Sequence, residues 1–385
     1  METKDDSCQG LSGIPFKEGI SYEEMVSEMD PLPATRKIQD DNKNLRSQID
    51  RLKTQLSDEK FFFNIIASSI ERIKPMEIHV PKYNQSDLLI KSPLSAIQLL
   101  GDLHTGEKID PLEMEGFNAY DLEIEKSRMR YLADKTVRWV ASKRLFCKID
   151  ELVLICLGDN VSGDIHGELV ATNLMPTPVQ TAEAAFILSD YAAAMSQHFN
   201  NVRIEFFAAD NHSRTTVKPP AKQAGLNSYN YIVGIIMQER LRNLPNIKFN
   251  MHIGMEDVVW VQDTPYLCTH GHQIKGWSGF PWYGADRHIS REAFARMQRA
   301  LQQFNDTVDR YLKDLGGMFH KLAFAHYHVP LNYSKFIVNG SVSGTNEYDH
   351  KNGRYSEPCQ VAWLVHPKTG EYDWTAFKLR HAKIM

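Results

Sequence analysis

Short apolar runs that end in an acid, an amide or an imidazole recur along this chain, and they constrain its fold more than any other feature. The first run is SAIQLLGDLH, in which Leu100 is followed by Gly101, Asp102 and His104. Apolar runs of this length that are closed by a glycine or a polar residue are typical of buried strands. Four more runs end in the same way, in ELVLICLGDN, VRIEFFAADNH, PYLCTHGH and KLAFAHYH.

The spacing of these runs predicts the class of fold. Amphipathic helical patterns near residues 121–147 and 178–199 separate the first three runs, and strand–helix–strand units form parallel sheets through right-handed crossovers. The later runs follow one another more closely, which favours mixed or antiparallel pairing. They are VVWVQD, PYLCTHG, KLAFAHYH, KFIVNGS, VAWLVH and WTAFKL. We therefore predict an α/β fold in which two mixed β-sheets pack face to face with helices outside.

The chain before the first strand has a different texture. Residues 1–34 are polar and contain three prolines, which predicts a flexible N-terminal arm. A heptad seam follows and predicts a short coiled coil over 35–60 that makes the protein a homo-oligomer, with an amphipathic helix packed on its own domain as the alternative. Residues 61–92 are predicted to form a helix and a linker, and 93–385 the main domain. The seam consists of Ile38, Asn42, Leu45, Ile49, Leu52 and Leu56.

Composition excludes several classes of protein. The 385 residues carry a formal net charge of −4, with 42% hydrophobic and 24% charged residues, which is a globular profile without a general basic coat for nucleic acid. No apolar run approaches the about 18 residues of a membrane span, and METKDDSCQG lacks the apolar core of a signal peptide. Five scattered cysteines without a C-x-x-C pair fit a reducing compartment. We therefore predict a cytoplasmic protein without a membrane partner.

The side chains at the strand ends have the chemistry of metal ligands. Ligands gather where the carboxyl ends of sheet strands converge, so residues far apart in the chain can share one site. Carboxylate, amide and imidazole donors together suit Mn²⁺, Fe or Zn²⁺ rather than Ca²⁺. Seven donors exceed the needs of one tetrahedral zinc ion and match two ions that share a bridging carboxylate. The strand ends offer ten candidates for these positions, which are Asp102, His104, Asp159, Asn160, Asn211, His212, His270, His272, His326 and His328.

Each motif by itself also has a purely structural explanation. An Asp-x-His or Gly-Asp pair after a strand is commonly a surface turn, and Asn-His is commonly a cap or a turn. His-x-His is more specific, because alternate residues of a strand face the same side. The combination, with each motif directly after an apolar run, favours a shared metal site.

In this combination the motifs resemble those of the calcineurin-like metallophosphoesterase superfamily. The family's blocks are Asp-x-His, Gly-Asp, Gly-Asn-His-(Asp/Glu), a lone His and Gly-His-x-His, and they correspond here to GDLH, GDN, ADNHS, THGH and AHYH. Asp210, Ser213 and Ala325 depart from the family pattern, and none of them replaces a ligand. Over about residues 95–345, the resemblance implies a four-layer αββα sandwich with a dinuclear centre that activates water to hydrolyse phosphoric esters.

The resemblance also implies a role for each side chain. Asp159 would bridge two divalent ions, with Mn²⁺ predicted first and Fe, Zn²⁺, Mg²⁺ and Ni²⁺ as alternatives. His212 would protonate the leaving oxygen or stabilise the phosphate, so it is the predicted catalytic residue together with Asp159. His272 would support a ligand or contact the substrate. The remaining ligands form one set of Asp102, His104 and His328 and a second set of Asn211, His270 and His326.

The substrate is predicted from residues around the motifs. Protein phosphatases of this superfamily carry GDxVDRG, whereas this chain has GDNVSGDIHG without the arginine, which argues against a protein phosphatase. The segment 271–300 interleaves aromatic rings with cations, as single-stranded nucleic-acid sites do. We predict phosphodiester hydrolysis on nucleic acid by a nuclease of a phage-type or nuclease-like branch. Predicted substrate contacts are Asn160, Arg214, His272, Lys275, Trp277 and Arg287, with Tyr348, His350 and Arg354 as further candidates.

Two other functions stay open on the sequence. A phosphodiesterase or phosphatase for small or cyclic nucleotides would need a closed pocket, for which GWSGFPWYG can serve as a lid. The segment 271–300 also has a structural explanation without nucleic acid. It would be a lid loop with buried tryptophans, followed by a helix with a solvated basic face. A non-catalytic oligomeric scaffold would use the fold and the coil for assembly, and the complete ligand set argues against it.

Overall fold

The computed structural model describes residues 45–46, 78, 90–277, 279–302, 318–351 and 353–382. Except for residues 45 and 46, these belong to Glu59–Met385, the larger of two units into which the chain divides. The predicted arm over 1–34, the coiled coil over 35–60 and most of the helix and linker over 61–92 lie outside the described residues and stay predictions. No helix among the described residues is long and apolar enough to cross a membrane.

The described residues form strands and helices that alternate at first and then give way mainly to strands. The strands are β1 Ile90–Leu100, β2 Cys147–Cys156, β3 Asn201–Phe207, β4 Ile247–His252, β5 Glu256–Val261, β6 Thr264–Thr269, β7 Lys321–Phe324, β8 Leu331–Asn332, β9 Phe336–Val338, β10 Cys359–His366 and β11 Gly370–Lys378. The helices are α1 Leu122–Lys143, α2 Gly167–Thr172, α3 Thr177–Ser196, α4 Tyr229–Leu241, α5 Trp282–Gln302 and α6 Glu347–Lys351.

Two mixed sheets result. The first has the strand order β11-β10-β1-β2-β3-β4, and the second has the order β5-β6-β7-β9-β8. In the first sheet β1 to β4 are parallel, and β10 runs antiparallel to β1 and β11. In the second sheet β6, β7 and β9 are parallel, with β5 and β8 antiparallel at its edges. Parallel neighbours end at one edge of a sheet, so each sheet gathers several carboxyl ends.

Alternate residues of β1 enter different apolar cores. Leu100 faces the core shared with helices α1, α3 and α4, whereas Leu99 faces a core that also contains Tyr266 of the second sheet. A third core joins Phe324 on the other face of the second sheet to Ala285 of α5. The period-two alternation of a strand places its two faces in two layers. The layers therefore follow the order helices, sheet, sheet, helix.

The predicted α/β class with two mixed sheets and helices is confirmed. The helix expected near 121–147 is α1, which ends at Lys143 because the chain enters β2 at Cys147. Asp121 begins α1 by accepting a hydrogen bond from Ile124 N at 2.8 Å, as capping residues do. The strands β4 and β8 were not predicted. β4 alternates half-buried and exposed positions at the edge of the sheet, and β8 has two residues, so neither produces an apolar run.

His252, at the end of the edge strand β4, interacts with two carboxylates. Its ring nitrogens lie 2.8 Å from Glu205 Oε2 and 2.9 Å from Asp257 Oδ2. Burial lowers the pKa of His252, but the hydrogen bonds to Asp257 and Glu205 have a larger, opposite effect and raise the pKa to about 9. This folded pKa exceeds the ordinary value of 6.5. The stabilisation is therefore fully present below pH 6.5 while the carboxylates are ionised, and it is lost as the pH rises through 9.

We expect His252→Gln to lower the free energy of unfolding by about 1–2 kcal/mol at pH 6, since hydrogen bonds between charged groups are lost. Glu205 should supply most of this effect, because Asp257 is exposed and screened by solvent. At pH 9 the difference should shrink towards zero. Urea unfolding of both proteins at pH 6 and pH 9 measures it, with exposed His320→Gln as the control. A difference that is constant with pH would contradict the assignment.

Candidate metal centre

Each predicted ligand follows the carboxyl end of a strand. Because these ends meet where the two sheets face each other, residues from both sheets converge. The first sheet supplies Asp102 and His104 after β1, Asp159 after β2 and Asn211 after β3, and the second supplies His270 after β6 and His326 and His328 after β7.

Left-handed backbone conformations turn the chain at these strand ends. The angle φ is 50° at Asp102, 53° at His104, 47° at Asp159, 70° at His326 and 58° at His328. Positive φ is uncommon for residues other than glycine, and it persists where the surroundings over-determine it, mainly at functional sites. Here His104 N donates to Asp159 O at 3.0 Å and His326 N donates to Asp102 Oδ2 at 3.0 Å. These bonds hold both turns in place.

Asp102, His104 and His328 form the first cluster, with one ligand atom from each residue within 4.8 Å of the others. The Nε2 atoms of the two histidines are 3.3 Å apart, and Asp102 Oδ1 is 3.6 Å from His328 Nε2. Among the described residues, the buried Asp102 Oδ1 has no hydrogen-bond partner, although buried carboxylates nearly always have one. Ligands at about 2.0–2.2 Å from one ion have such separations, so this cluster fits a divalent cation.

Asp159, His270 and His326 form the second cluster, and Asn211 adds a fourth side chain. His270 Nε2 lies 2.9 Å from Asn211 Oδ1 and 3.0 Å from Asp159 Oδ2. The other ring nitrogen, Nδ1, lies 2.9 Å from Leu157 O and donates to it. In neutral His270 the Nε2 atom then carries a lone pair, so three lone pairs converge. A cation or a second proton on His270 resolves this repulsion.

Asp159 and His104 also meet in a third group with His212, which links the two clusters. Burial raises the pKa of Asp159, but His270 and His212 outweigh it and hold the pKa well below its usual range. Among the described residues, the ion-pair partners of Asp102 and Asp159 are histidines, with no lysine or arginine. Two buried carboxylates without a fixed cation favour binding of a metal ion.

The remaining histidines differ in their proton affinity. Burial, reinforced by neighbouring histidines, keeps the pKa of His104 and of His326 well below the ordinary value, so both are neutral and able to bind metal. Burial also lowers the pKa of His328, but Asp102 raises it well above the ordinary value. Because imidazole binds metal in its neutral form, a metal ion at this site would displace the proton of His328.

His212, the predicted acid, lies at the border of both clusters. Its ring meets that of His104 edge-on, with centroids 4.6 Å apart. Its Nδ1 atom lies 2.8 Å from Ser162 O, and its backbone N donates to Asp159 Oδ1 at 2.9 Å. Since a carbonyl only accepts, Nδ1 carries a proton and Nε2 is the ring nitrogen left for a substrate. The position fits the predicted role, which stays a prediction.

Asp210 and Ser213, which depart from the family pattern, are hydrogen-bonded to each other. The Asp210 carboxylate accepts hydrogen bonds of 2.9 Å from Asp159 N, Ser213 N and Ser213 Oγ. Burial and Asp159 raise the pKa of Asp210 to about 6. Space for this carboxylate exists because residue 158 is glycine, with φ of 96°, and a Cβ there would lie 2.7 Å from Asp210 Cβ. The acid thus braces the loop of Asp159.

We expect Gly158→Ala to destabilise the protein by about 2–4 kcal/mol, from overpacking and left-handed strain together. Combining it with Asp210→Gly should restore part of the loss, because the clash disappears while the strain remains. Thermal unfolding of the single and double variants measures both effects. Gly167→Ala is the matched control, because a Cβ there meets nothing within 4 Å. Equal unfolding temperatures for Gly158→Ala and Gly167→Ala would refute the clash.

The side chains of two predicted substrate contacts form hydrogen bonds within the protein. Asn160 is buried and donates from Nδ2 to Asn230 Oδ1 at 2.7 Å. Arg214 is buried, and its guanidinium donates to three backbone carbonyls of its own loop. Both side chains therefore stabilise the loops that carry Asp159 and Asn211.

The other predicted contacts lie beside or outside the clusters. His272 is half-buried, its ring centroid is 5.5 Å from that of His270, and burial followed by His270 lowers its pKa to about 4. Lys275, Trp277 and Arg287 are exposed, and Trp277 is 87% exposed. The structure thus divides the predicted set into His272 near the ligands and three residues at the surface.

Two acidic residues that no sequence motif indicated face the first cluster. Glu107 Oε2 lies 3.9 Å from His104 Nδ1, and Asp349 Oδ2 lies 3.6 Å from His328 Nδ1. Glu107 follows His104 by three positions, which is a weak local signal. Asp349 lies in the short helix α6, and no spacing in the sequence relates it to His328.

Comparisons with known proteins do not assign a function to this chain, so any assignment depends on the geometry of the site. No model of a known protein family matches the chain, and no curated protein matches it. A solved structure described as a novel archaeal phosphodiesterase is 11% identical, with a TM-score of 0.32, over 73% of this chain and 99% of its own. A likeness of this size carries no argument about the chemistry of the present chain.

Proposed function

We propose that this chain is a metal-dependent phosphodiesterase that hydrolyses nucleic acid. The observation that carries the proposal is the convergence of three groups of histidine and aspartate around Asp159 and His104. Two divalent cations there, with Mn²⁺ as the first choice, would lower the pKa of a bound water and stabilise charge on phosphoryl oxygens. Without cations, Asp102 and Asp159 would repel a phosphodiester.

The protein's own groups supply orientation and a proton. Asp102, His104 and His328 would hold one cation and Asn211, His270 and His326 the other, with Asp159 between them. Ser162 O orients His212 through Nδ1. His212 then delivers a proton from Nε2 to the leaving oxygen when its ring is in the imidazolium form.

Exposed rings and cations in the segment that follows His270 support a nucleic-acid substrate. Trp277 is 87%, Tyr283 75% and Trp282 52% exposed, and the exposed Lys275 and Arg287 precede and follow them in the chain. A small-nucleotide pocket would enclose its rings, whereas these rings face solvent. Aromatic faces stack on bases and cations attract phosphates without regard to sequence.

A second aromatic surface lies next to the first one. Tyr348, Tyr355 and Phe117 are all more than half exposed, and Arg354 lies over the Tyr348 ring at 5.8 Å. A Cβ on Gly279 would lie 3.5 Å from Arg354 Nε, so the loop of Trp277 reaches this surface. The exposed rings thus come from two segments of the chain, which supports a strand rather than a single nucleotide as the substrate.

The proposal is tested with purified protein in Mn²⁺ and in EDTA. We expect Mn²⁺-dependent cleavage of single-stranded DNA or RNA and of bis(p-nitrophenyl) phosphate, with no activity in EDTA. Activity confined to mononucleotides or cyclic nucleotides would replace nucleic acid with a small substrate. Failure to hydrolyse any phosphoric ester with any divalent ion would favour the scaffold function and overturn the proposal.

Trp277→Ala tests the nucleic-acid surface separately from the chemistry. We expect KM for an oligonucleotide to rise about 5- to 150-fold, the equivalent of the about 1–3 kcal/mol that stacking contributes per base. Hydrolysis of bis(p-nitrophenyl) phosphate should be unchanged, because this substrate has no base. Trp260→Ala is the control, since Trp260 is 44% exposed on β5. Equal KM changes in both variants would remove Trp277 from the substrate site.

A further inference from the structure

The histidines of the first cluster have carboxylates behind them. His104 and His328 face each other through Nε2 atoms 3.3 Å apart. On the far side of each ring, Nδ1 faces an acid: Glu107 Oε2 is 3.9 Å from His104 Nδ1, and Asp349 Oδ2 is 3.6 Å from His328 Nδ1. Neither acid belongs to the motifs that carry the proposed function.

Two other histidines of the centre face backbone carbonyls instead. His270 Nδ1 is 2.9 Å from Leu157 O, and His212 Nδ1 is 2.8 Å from Ser162 O. A carbonyl fixes the tautomer of an imidazole, whereas a carboxylate fixes the tautomer and also raises the basicity of the other nitrogen. The two histidines of the first cluster therefore differ from His270 and His212 in the group that faces Nδ1.

The unsatisfied atoms of the first cluster match one another. Among the described residues, the buried His104 Nδ1 and Glu107 Oε2 both lack a hydrogen-bond partner, and Glu107 is 6% exposed. His104 Nδ1 can donate a hydrogen bond and Glu107 Oε2 can accept one, so the two atoms could satisfy each other. Buried polar groups without partners are uncommon and call for a functional explanation.

Asn346 connects the two acids. Its Nδ2 donates to Glu107 Oε1 at 3.0 Å, and its Oδ1 accepts from Asp349 N at 3.0 Å. Glu347, in the same short helix, has a different task, because its Oε1 accepts from Asp110 N at 2.8 Å. The loop after the last motif thus reaches back to the loop after the first one.

We propose that Glu107 and Asp349 are positioning residues that hold His104 and His328 with the proton on Nδ1, so that both Nε2 lone pairs face the cation bound with Asp102. The inference rests on the proposed function for the presence of that cation. It adds two residues that the sequence motifs do not contain. Their loss is expected to weaken metal binding without unfolding the protein.

The test is Mn²⁺ affinity, measured by calorimetry and by the electron paramagnetic resonance signal of free Mn²⁺. We expect Glu107→Gln and Asp349→Asn each to weaken one of the Mn²⁺ binding steps about 10- to 100-fold, as loss of such carboxylates does elsewhere. Asp349→Glu should recover part of the affinity. The unfolding temperature in EDTA should stay at the wild-type value, which separates positioning from folding.

Glu347→Gln is the matched control, because it removes a carboxylate from the same helix that contacts no histidine among the described residues. It should leave Mn²⁺ affinity unchanged. Equal weakening by Asp349→Asn and Glu347→Gln, or no weakening by Asp349→Asn and Glu107→Gln in a hydrolytically active protein, overturns this inference alone. A wild-type protein that binds no Mn²⁺ overturns the proposed function and this inference with it.

Discussion

Asp159→Asn should reduce kcat/KM for phosphodiester hydrolysis by about 10³-fold or more, since metal-ion stabilisation is worth several kcal/mol. Asp159 is common to the second cluster and to the linking group. Its two oxygens have separate partners, because Oδ1 accepts from His212 N and Oδ2 lies 3.0 Å from His270 Nε2. Asparagine replaces one of these oxygens with an NH2 group that has no lone pair for a cation, so the side chain could no longer bridge two ions.

The measurement is kcat/KM for bis(p-nitrophenyl) phosphate together with bound manganese per chain. We expect manganese content to fall with the rate, because the removed oxygen is a proposed ligand. Asp134→Asn is the isosteric control, since Asp134 pairs with Arg138 on the surface of α1. If Asp159→Asn retains activity within about tenfold of the wild type, roughly 1.4 kcal/mol, Asp159 does not bridge two ions.

His212→Ala should lower the rate on an oligonucleotide by about 10²- to 10⁴-fold, the usual contribution of general acid catalysis. Manganese content should be unchanged, because the proposed ligand sets are complete without His212. The loss should be much smaller on bis(p-nitrophenyl) phosphate, whose nitrophenolate leaves without a proton. This difference between leaving groups separates an acid from a residue that only binds phosphate.

The matched control is His320→Ala. His320 is exposed and directly precedes β7, at the opposite end of the strand from His326. It should leave both rates unchanged. Equal losses on the two substrates in His212→Ala would leave His212 as a phosphate ligand, and a near-full rate on the oligonucleotide would remove it from the reaction.

Much of the fold was predictable because the signals are local. The run around Leu99 and Leu100 predicted β1, and its residues occupy two cores as strand alternation requires. The residues after each strand predicted the convergence of histidines and aspartates that could hold a metal ion, because parallel strands end at the same edge of a sheet. The edge strand β4 was missed, since its half-buried pattern lacks an apolar run.

The roles of side chains in the candidate site were less predictable where they depend on contacts with residues elsewhere in the chain. Arg214 follows the Asn-His motif and carries the right charge for a phosphate, yet its guanidinium is bound by its own loop. Asp210 replaces a glycine of the family pattern, and only the position of Gly158 shows why it fits. Asp349 is one acid among the 48 acidic residues, and nothing in its neighbourhood along the chain relates it to His328.

The sequence by itself determined the buried strands, where they end and which kinds of ligand follow them, because these depend on neighbours a few positions away. Only the tertiary structure decided which ring nitrogen of each histidine faces the candidate metal site and which group lies on the opposite side of the ring. His104 and His328 are 224 positions apart, and Glu107 and Asn346 are 239 apart. Hydrogen bonds act over about 3 Å in space, whatever the separation along the chain, so these pairings exist only once the two sheets have packed together.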